Sequence, residues 1–402
     1  MKLNELAPEF QAARPILADL EAAGFEAYFV GGAVRDALLH RPIHDVDIAT
    51  SAYPAEVKQI FKRTIDTGIQ HGTVTVMAHD VAYEVTTFRT ESTYQDFRRP
   101  DNVTFVRSLK EDLKRRDFTI NALAMRHDGE IIDLFDGLRD LRQGVLRAVG
   151  DPYARFHEDA LRMMRAVRFQ AQLAFQLEIR TKTAIAKNHR LLQKIAIERI
   201  HSEFIKLMLA SNWQTGLATF IETKMSEAVP GFSGQATQLQ KLTALAGHLT
   251  NECQVWGLFA LTLTLNQKDT RQLLRAWKSA NQVIDGTERL RQLATDLQTT
   301  DIDEAELKWA LFSAGQIAVQ DTLSVLKLMA RITSEQQAEF RQIYDQLPLQ
   351  SSKALAVNGQ DLMTNGIQPG PELGRTLQRL RYAVVVGQLP NNKAALLSTI
   401  KK

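Results

Sequence analysis

At 402 residues, 45% hydrophobic and 24% charged with a formal net charge of +3, the chain is long enough for about two to four packed units, and its overall charge announces no polyanion partner. Its only cysteine, Cys253, excludes an intramolecular disulfide. No apolar run approaches the roughly 18 residues of a membrane span, and MKLNELAPEF carries charges where a signal peptide is apolar, so a cytoplasmic protein without a membrane partner is expected.

In chain order, Phe10, Ala13, Ile16, Leu17 and Leu20 recur at helical spacing and predict an amphipathic helix over 8–23 that packs on a sheet. Strands are expected at 27–30, 45–49, 73–78 and 81–89, the last two separated by a hairpin turn at His79-Asp80. The run RTESTYQDFRRPDN has no periodicity and reads as a mobile loop. A helix over 109–126 and a short strand over 131–134 follow, and then Gly150-Asp151-Pro152 breaks the pattern. From Tyr153 onward nearly everything reads as helical, so the fold class is α+β: a mixed head with a small, largely antiparallel sheet, followed by all-α segments. Weaker breaks at Gly231-Phe232-Ser233-Gly234 and around 348–352 divide the chain into a head (1–150), a helical neck (151–230), a helical body (231–347) and a helical tail (348–402). Residues 351–402 hold seven lysines and arginines against Asp361 and Glu372, which suits phosphate contacts and equally suits a solvated terminus.

The most informative stretch is FVGGAVRDALLHRPIHDVDIA, Phe29 to Ala49. On a strand, Asp45 and Asp47 point the same way about 7 Å apart while Val46 and Ile48 face the core. Two carboxylates so placed can hold divalent ions, and two Mg²⁺ roughly 3.5–4 Å apart would bind nucleotide phosphates and activate a hydroxyl. A bare D-x-D more often marks the solvent edge of a strand. The preceding Gly31-Gly32 raises the metal reading, because glycines at a strand-to-helix turn let backbone approach a phosphate. Arg35 stands within reach of a triphosphate oxygen; the competing reading is a surface pair with Asp36 or Asp45.

GGAVRD followed by DVDIAT resembles the nucleotidyltransferase head, polymerase-β-like in fold, of the class II tRNA nucleotidyltransferases: the bacterial and eukaryotic CCA-adding enzymes and their relatives, the bacterial poly(A) polymerases. The resemblance implies template-independent addition of C, C and A to the tRNA 3′ end. A tRNA 3′-hydroxyl attacks the α-phosphate of CTP or ATP and releases pyrophosphate, with Asp45 and Asp47 as catalytic ligands of Mg²⁺ and Gly32 and Arg35 on the phosphates. The alternatives are a poly(A) polymerase, a partial CC- or A-adding enzyme, or a non-catalytic RNA-binding protein. A homodimer is carried as an expectation.

RRDFTINALAM, Arg115 to Met125, resembles the family's ribose motif. Arg116 can donate to phosphate or ribose oxygens, and Asp117 and Asn121 are four apart on the expected helix, although a helix cap accounts for Asp117 alone. In RFHEDALRMMRAVRF, Arg155 to Phe169, one helix would align Glu158 or Asp159 with Arg162, Arg165 and Arg168, either as solvated salt bridges or as a reading face. A carboxylate only accepts and a guanidinium only donates. Such a pair matches cytosine and adenine edges and mismatches uracil and guanine, at roughly 1–3 kcal/mol per unpaired group. The resemblance implies that Glu158, Asp159 and Arg162 form this template and that Arg165 and Arg168 contact the nucleotide. It also implies a flexible loop at Arg89 to Pro100, with Tyr94, Asp96 and Arg98 as polar contacts, and a bracing role for IAIERIHSEF, Ile195 to Phe204. Glu84 is balanced between a third catalytic carboxylate and an exposed strand residue. After His201 only His248 remains, without a neighbouring aspartate, so a His-Asp phosphohydrolase site cannot be built.

Overall fold

The computed structural model describes residues 1–78, 80–91, 94–95, 99–100, 103–299 and 302–400, with side chains at all of these except 91, 94, 95, 99, 100 and 103. The chain divides into two compact units, Met1–Gly234 and Gln235–Lys402. The second is helical, from Ala236–Leu242 to Lys393–Ser398. No helix among the described residues is long and apolar enough to cross a membrane.

The first unit opens with α1 (Pro8–Ala22), β1 (Ala27–Val30), α2 (Gly32–Leu38), β2 (Asp47–Thr50), α3 (Pro54–Ile60), β3 (Thr64–Gly68), β4 (Thr73–Ala78) and β5 (Val81–Thr87). Short pieces β6 (Arg89–Glu91), β7 (Tyr94–Gln95), β8 (Arg99–Pro100) and β9 (Val103–Phe105) precede α4 (Leu109–Lys114), β10 (Leu123–Met125), β11 (Ile131–Asp133), α5 (Gly137–Gln143) and β12 (Val145–Leu146). Then come α6 (Pro152–Glu158), α7 (Leu161–Leu173), β13 (Gln176–Leu177), α8 (Ile179–Asn188), α9 (Ile197–Met208) and α10 (Trp213–Glu222). Seven strands form the head sheet in the order β11-β10-β1-β2-β5-β4-β3. Within this sheet, among the described residues, only β2 and β5 run parallel and the other pairings are antiparallel.

Alternation along the strands feeds two cores. Phe29, Ile48, Val85, Leu123 and Met125 face α1, where Phe10 meets Phe29 at 4.9 Å between ring centres. Tyr28, Val30, Ala49 and Ala124 face the other way, against Phe88 and Leu113. Asp47 and Glu84 belong to this second face by parity. The parallel register Ile48↔Val85 sets them side by side one step earlier.

Several expectations shift. β2 begins at Asp47, so Asp45 lies just before the strand; its partner β1 ends at Val30, opposite Asp47, and turns away at Gly31 (φ 73). The burial alternation nevertheless runs on through exposed Asp45, buried Val46 and exposed Asp47. The expected helix 109–126 ends at Lys114, and residues 123–125 form a strand inside the sheet. Leu123 and Met125 enter one core and Ala122 and Ala124 the other, and burial on both faces overrides helix propensity. The expected continuous helix through Arg155–Phe169 is broken at Asp159-Ala160. There Asp159 is extended (φ −135, ψ 103) and its side chain accepts from Leu161 N at 3.0 Å, a local bond that competes with helix continuation.

The run expected as an unstructured loop has hairpin pairing in its described backbone, Arg89↔Phe105 outside and Tyr94↔Pro100 inside. Asp96, Arg98 and the Tyr94 side chain lie outside the described residues, as does His79 of the expected turn. A Phe29→Ala substitution, which empties the fully buried ring position against Phe10, is expected to destabilise the first unit by about 3–5 kcal/mol in denaturant titration.

Candidate active site

One cleft of about 1090 Å³ in the first unit is lined by all nine residues singled out for catalysis and nucleotide binding: Gly32, Arg35, Asp45, Asp47, Arg116, Asp159, Arg162, Arg165 and Arg168. Its size exceeds the roughly 300–1,000 Å³ typical of a single small-ligand site. Nine of the lining side chains are lysine or arginine and five are aspartate, a balance suited to a polyphosphate beside a cation.

On the sheet side stand Asp45 and Asp47. Although Asp47 stays open to solvent, partial desolvation in the cleft wall pushes its carboxyl above its ordinary value, Arg116 pulls it back, and Glu84 and Asp45 push it up again. Like charges so close to one another are a natural seat for a hard divalent cation, and two carboxylates are the oxygen donors such an ion prefers. Glu84 is brought beside Asp47 by the β2·β5 pairing but does not line the cleft. Among the described residues no group of three carboxylate, imidazole or thiol side chains is placed to hold an ion.

Gly31 makes the turn from β1 into α2 at φ 73, a conformation L side chains rarely adopt. A Cβ there would also stand 3.2 Å from Arg116 Nη1 and 3.6 Å from Asp47 Oδ2. Arg35 is buried, and the pairing anticipated with Asp36 is present: Nε and Nη2 donate to Asp36 at 2.9 and 2.8 Å, while Nη1 donates to Asn121 Oδ1 at 2.7 Å. Arg116 pairs with Asp112 at 3.3 Å, and its buried Nε has no hydrogen-bond partner.

The opposite wall is α7 with the break before it. Arg162 Nη1 donates to Glu158 Oε2 at 2.9 Å and Nη2 to the Arg115 carbonyl at 2.7 Å; Glu158 also pairs with Arg155. Arg165 Nε donates to Asp117 Oδ2 at 2.7 Å. Asp117 Oδ1 accepts from Phe118 N at 2.8 Å and Asn121 Nδ2 at 3.0 Å, so Asp117 and Asn121 do meet, through a hydrogen bond instead of a shared helix face. Although burial opposes its charge, Arg165 and these donors hold the Asp117 carboxyl well below the usual carboxylate range. Arg168 stacks on Phe169 at 4.0 Å and pairs with Glu203 at 3.0 Å without hydrogen-bond alignment. Burial pushes its guanidinium down to about 10, leaving it cationic at neutral pH.

Three cations are among the cleft residues that carried no individual sequence assignment. Arg199 of α9 pairs with Asp159 at 2.9 Å, Arg41 donates to the Gln172 carbonyl at 3.0 Å, and Lys206 lines the wall. The signal for Arg199 was the charged spacing inside IAIERIHSEF, which places Arg199 and Glu203 one turn apart on α9.

Comparison with known proteins agrees with this architecture. The family described as poly A polymerase head domain matches residues 27–147, that described as "probable RNA and SrmB-binding site of polymerase A" residues 174–234, and that described as "tRNA nucleotidyltransferase domain 2 putative" residues 247–400. A CCA-adding enzyme of Latilactobacillus sakei is 55% identical over 402 residues, covering 100% of both chains. Another, of Limosilactobacillus fermentum, is 51% identical over 397 residues, covering 99% of this chain and 98% of its own. Among solved structures, the Bacillus stearothermophilus CCA-adding enzyme in complex with CTP superposes with a TM-score of 0.87 at 40% identity, covering 98% of each chain.

Because the folded-state pKa of Asp117 is depressed, its ionised pairing contributes stability above the unfolded value near 4 and loses that contribution as pH falls toward the folded value. Asp117→Asn is therefore expected to cost about 2 kcal/mol in urea titration at pH 7. The gap between variant and parent should narrow steadily below about pH 4.

Proposed function

The chain belongs to the CCA-adding enzyme family of nucleotidyltransferases, and we propose how its cleft carries out that family's reaction, the addition of C, C and A to the 3′ end of tRNA from CTP and ATP with release of pyrophosphate. The observation that carries the proposal is that one cleft holds both the Asp45/Asp47 pair and the Asp159/Arg162 pair. The family uses divalent metal ions, and Asp45 and Asp47 are the ligands proposed for them here, with Mg²⁺ the ion their hard oxygens favour. Ions held by Asp45 and Asp47 would supply a lowered pKa for the attacking hydroxyl and neutralise charge on the phosphate oxygens.

The chain's own groups do the rest. Gly31 and Gly32 let the nucleotide phosphates approach the backbone closely. Arg116, whose Nη1 stands beside the Gly31 turn, can donate to phosphate or ribose, and Arg35, with three of its five N–H groups committed to Asp36 and Asn121, keeps two to donate. Arg165 and Arg168 supply positive charge along the α7 wall, and Phe169 gives an aromatic surface beneath Arg168. Asp159 accepts from the exocyclic amino group of the base and Arg162 donates to its ring nitrogen, an arrangement that admits C and A and mismatches U and G.

The proposal assigns chemistry to residues 1–150, base selection to 151–230 and tRNA binding to 231–347 and 348–402. In the last segment Arg375 and Arg379 lie exposed one turn apart on Pro371–Val385. A homodimer remains a separate proposal, read by light scattering.

Incubating the protein with tRNA lacking its 3′ end, CTP and ATP, and sequencing the products, should show CCA ends; long A tails would contradict the proposal. In the same assay Asp45→Ala should lower addition of every nucleotide at least about a thousandfold. Asp159→Ala with Arg162→Ala should retain addition but admit U and G. Strict selectivity in that double variant would remove the base-reading assignment.

A further inference from the structure

Asp159 is held from two directions. Its Oδ2 accepts from Arg199 Nη2 at 2.9 Å, and its Oδ1 accepts from Leu161 N at 3.0 Å and from Arg199 Nη1 at 3.5 Å. Arg199 comes from α9, forty residues along the chain, and lines the same cleft. An ionised carboxylate offers about four lone-pair positions. Three carry these bonds, which leaves one: the number needed to accept a single N–H from a base.

Arg162 is fixed in a parallel way by Glu158 and the Arg115 carbonyl. The two sides differ in origin, however. The partners of Arg162 lie on α6 and the α4 terminus, whereas the side chain that orients Asp159 is supplied by α9 alone among the contacts above. Asp159 itself sits at a break between helices, with extended backbone and no helical turn to confine its rotamer. A carboxylate free to rotate there could present either oxygen, or neither, to the base edge. A fork-shaped guanidinium engages both oxygens and suppresses that freedom, which a lysine's point charge does not.

We infer that Arg199 is a positioning residue for nucleobase selection: by gripping both oxygens of Asp159 it leaves one acceptor position, in one orientation, for the incoming base. This rests on the reading of Asp159 and Arg162 as the base-reading pair. It distinguishes Arg199 from the other cleft cations, since a cation acting on the triphosphate would serve all four nucleotides alike.

The test measures kcat/KM for CTP and for UTP on full-length enzyme with tRNA lacking its 3′ end, for Arg199→Met, Arg199→Lys, Asp159→Ala and Asp159→Ala with Arg199→Met. The CTP:UTP ratio is expected to fall about tenfold in Arg199→Met and less in Arg199→Lys. Adding Arg199→Met to Asp159→Ala should change the ratio no further, because the effect runs through Asp159. Equal losses with CTP and UTP in Arg199→Met, or a further fall of the ratio on the Asp159→Ala background, would overturn the inference while leaving base reading by Asp159 intact. An unchanged ratio in Asp159→Ala itself would overturn the base-reading assignment and the inference with it. If Arg199→Met does not fold, the ratio in Arg199→Lys decides: a fall of about threefold supports the inference, and parent-like selectivity overturns it.

Discussion

The ion pair between Arg165 and Asp117 is the constraint on which the rest of the site depends. Asp117 belongs to the head, next to the sheet, and Arg165 to α7; their contact at 2.7 Å sets how far the α7 wall stands from the Asp45/Asp47 edge. The pair is continued on both sides. Asn121 links Asp117 to Arg35 and through it to Asp36 and α2, while Glu203 of α9 faces Arg165 and Arg168 from behind. A buried pair of this kind contributes little net stability compared with an apolar contact of the same size, and removing one partner is costly because it strands the other charge. What it supplies here is geometry: the Asp45/Asp47 edge and the α7 wall of one cleft are held at one separation.

The same network explains why so many arginines can line one cleft without driving it apart. Arg35, Arg115, Arg162 and Arg165 each have an acidic or carbonyl partner inside the fold. Their charge is partly cancelled inside the fold, while Arg116, whose Nη1 stands beside the Gly31 turn, lines the cleft. On the sheet side the balance reverses. Asp47 is crowded by Glu84 and Asp45, an excess of negative charge that a divalent ion would relieve. The cleft therefore carries a negative edge, a positive interior and a wall of mixed charge, the order that the proposed metal-bound triphosphate and its base would require.

Much of this was legible in the chain. The alternation through Val46, Asp47 and Ile48 marked the strand edge, Gly31-Gly32 marked a turn that only glycine makes easily, and the arginine spacing over 162–168 marked one helix face. Two kinds of feature were not legible. Leu123–Met125 consists of good helix formers, and only the two cores that meet around it, which are assembled from distant residues, make it a strand. The partners of Asp159 and Arg168 are Arg199 and Glu203, and no local pattern says that an i, i+4 pair on one helix will meet a break and a face on another. The break at Asp159 was hidden for a related reason: the charge periodicity runs through it, and only the bond from Leu161 N to the Asp159 side chain reveals that the helix stops and restarts.

The central claim is that chemistry and base selection reside on different walls of one cleft and are separable. Calorimetric titration of all four ribonucleoside triphosphates into an Asp45→Ala, Asp47→Ala variant tests it most directly, since no turnover intervenes. The account predicts weaker binding overall with the preference for CTP and ATP over UTP and GTP preserved. Loss of that preference together with the carboxylates would contradict it.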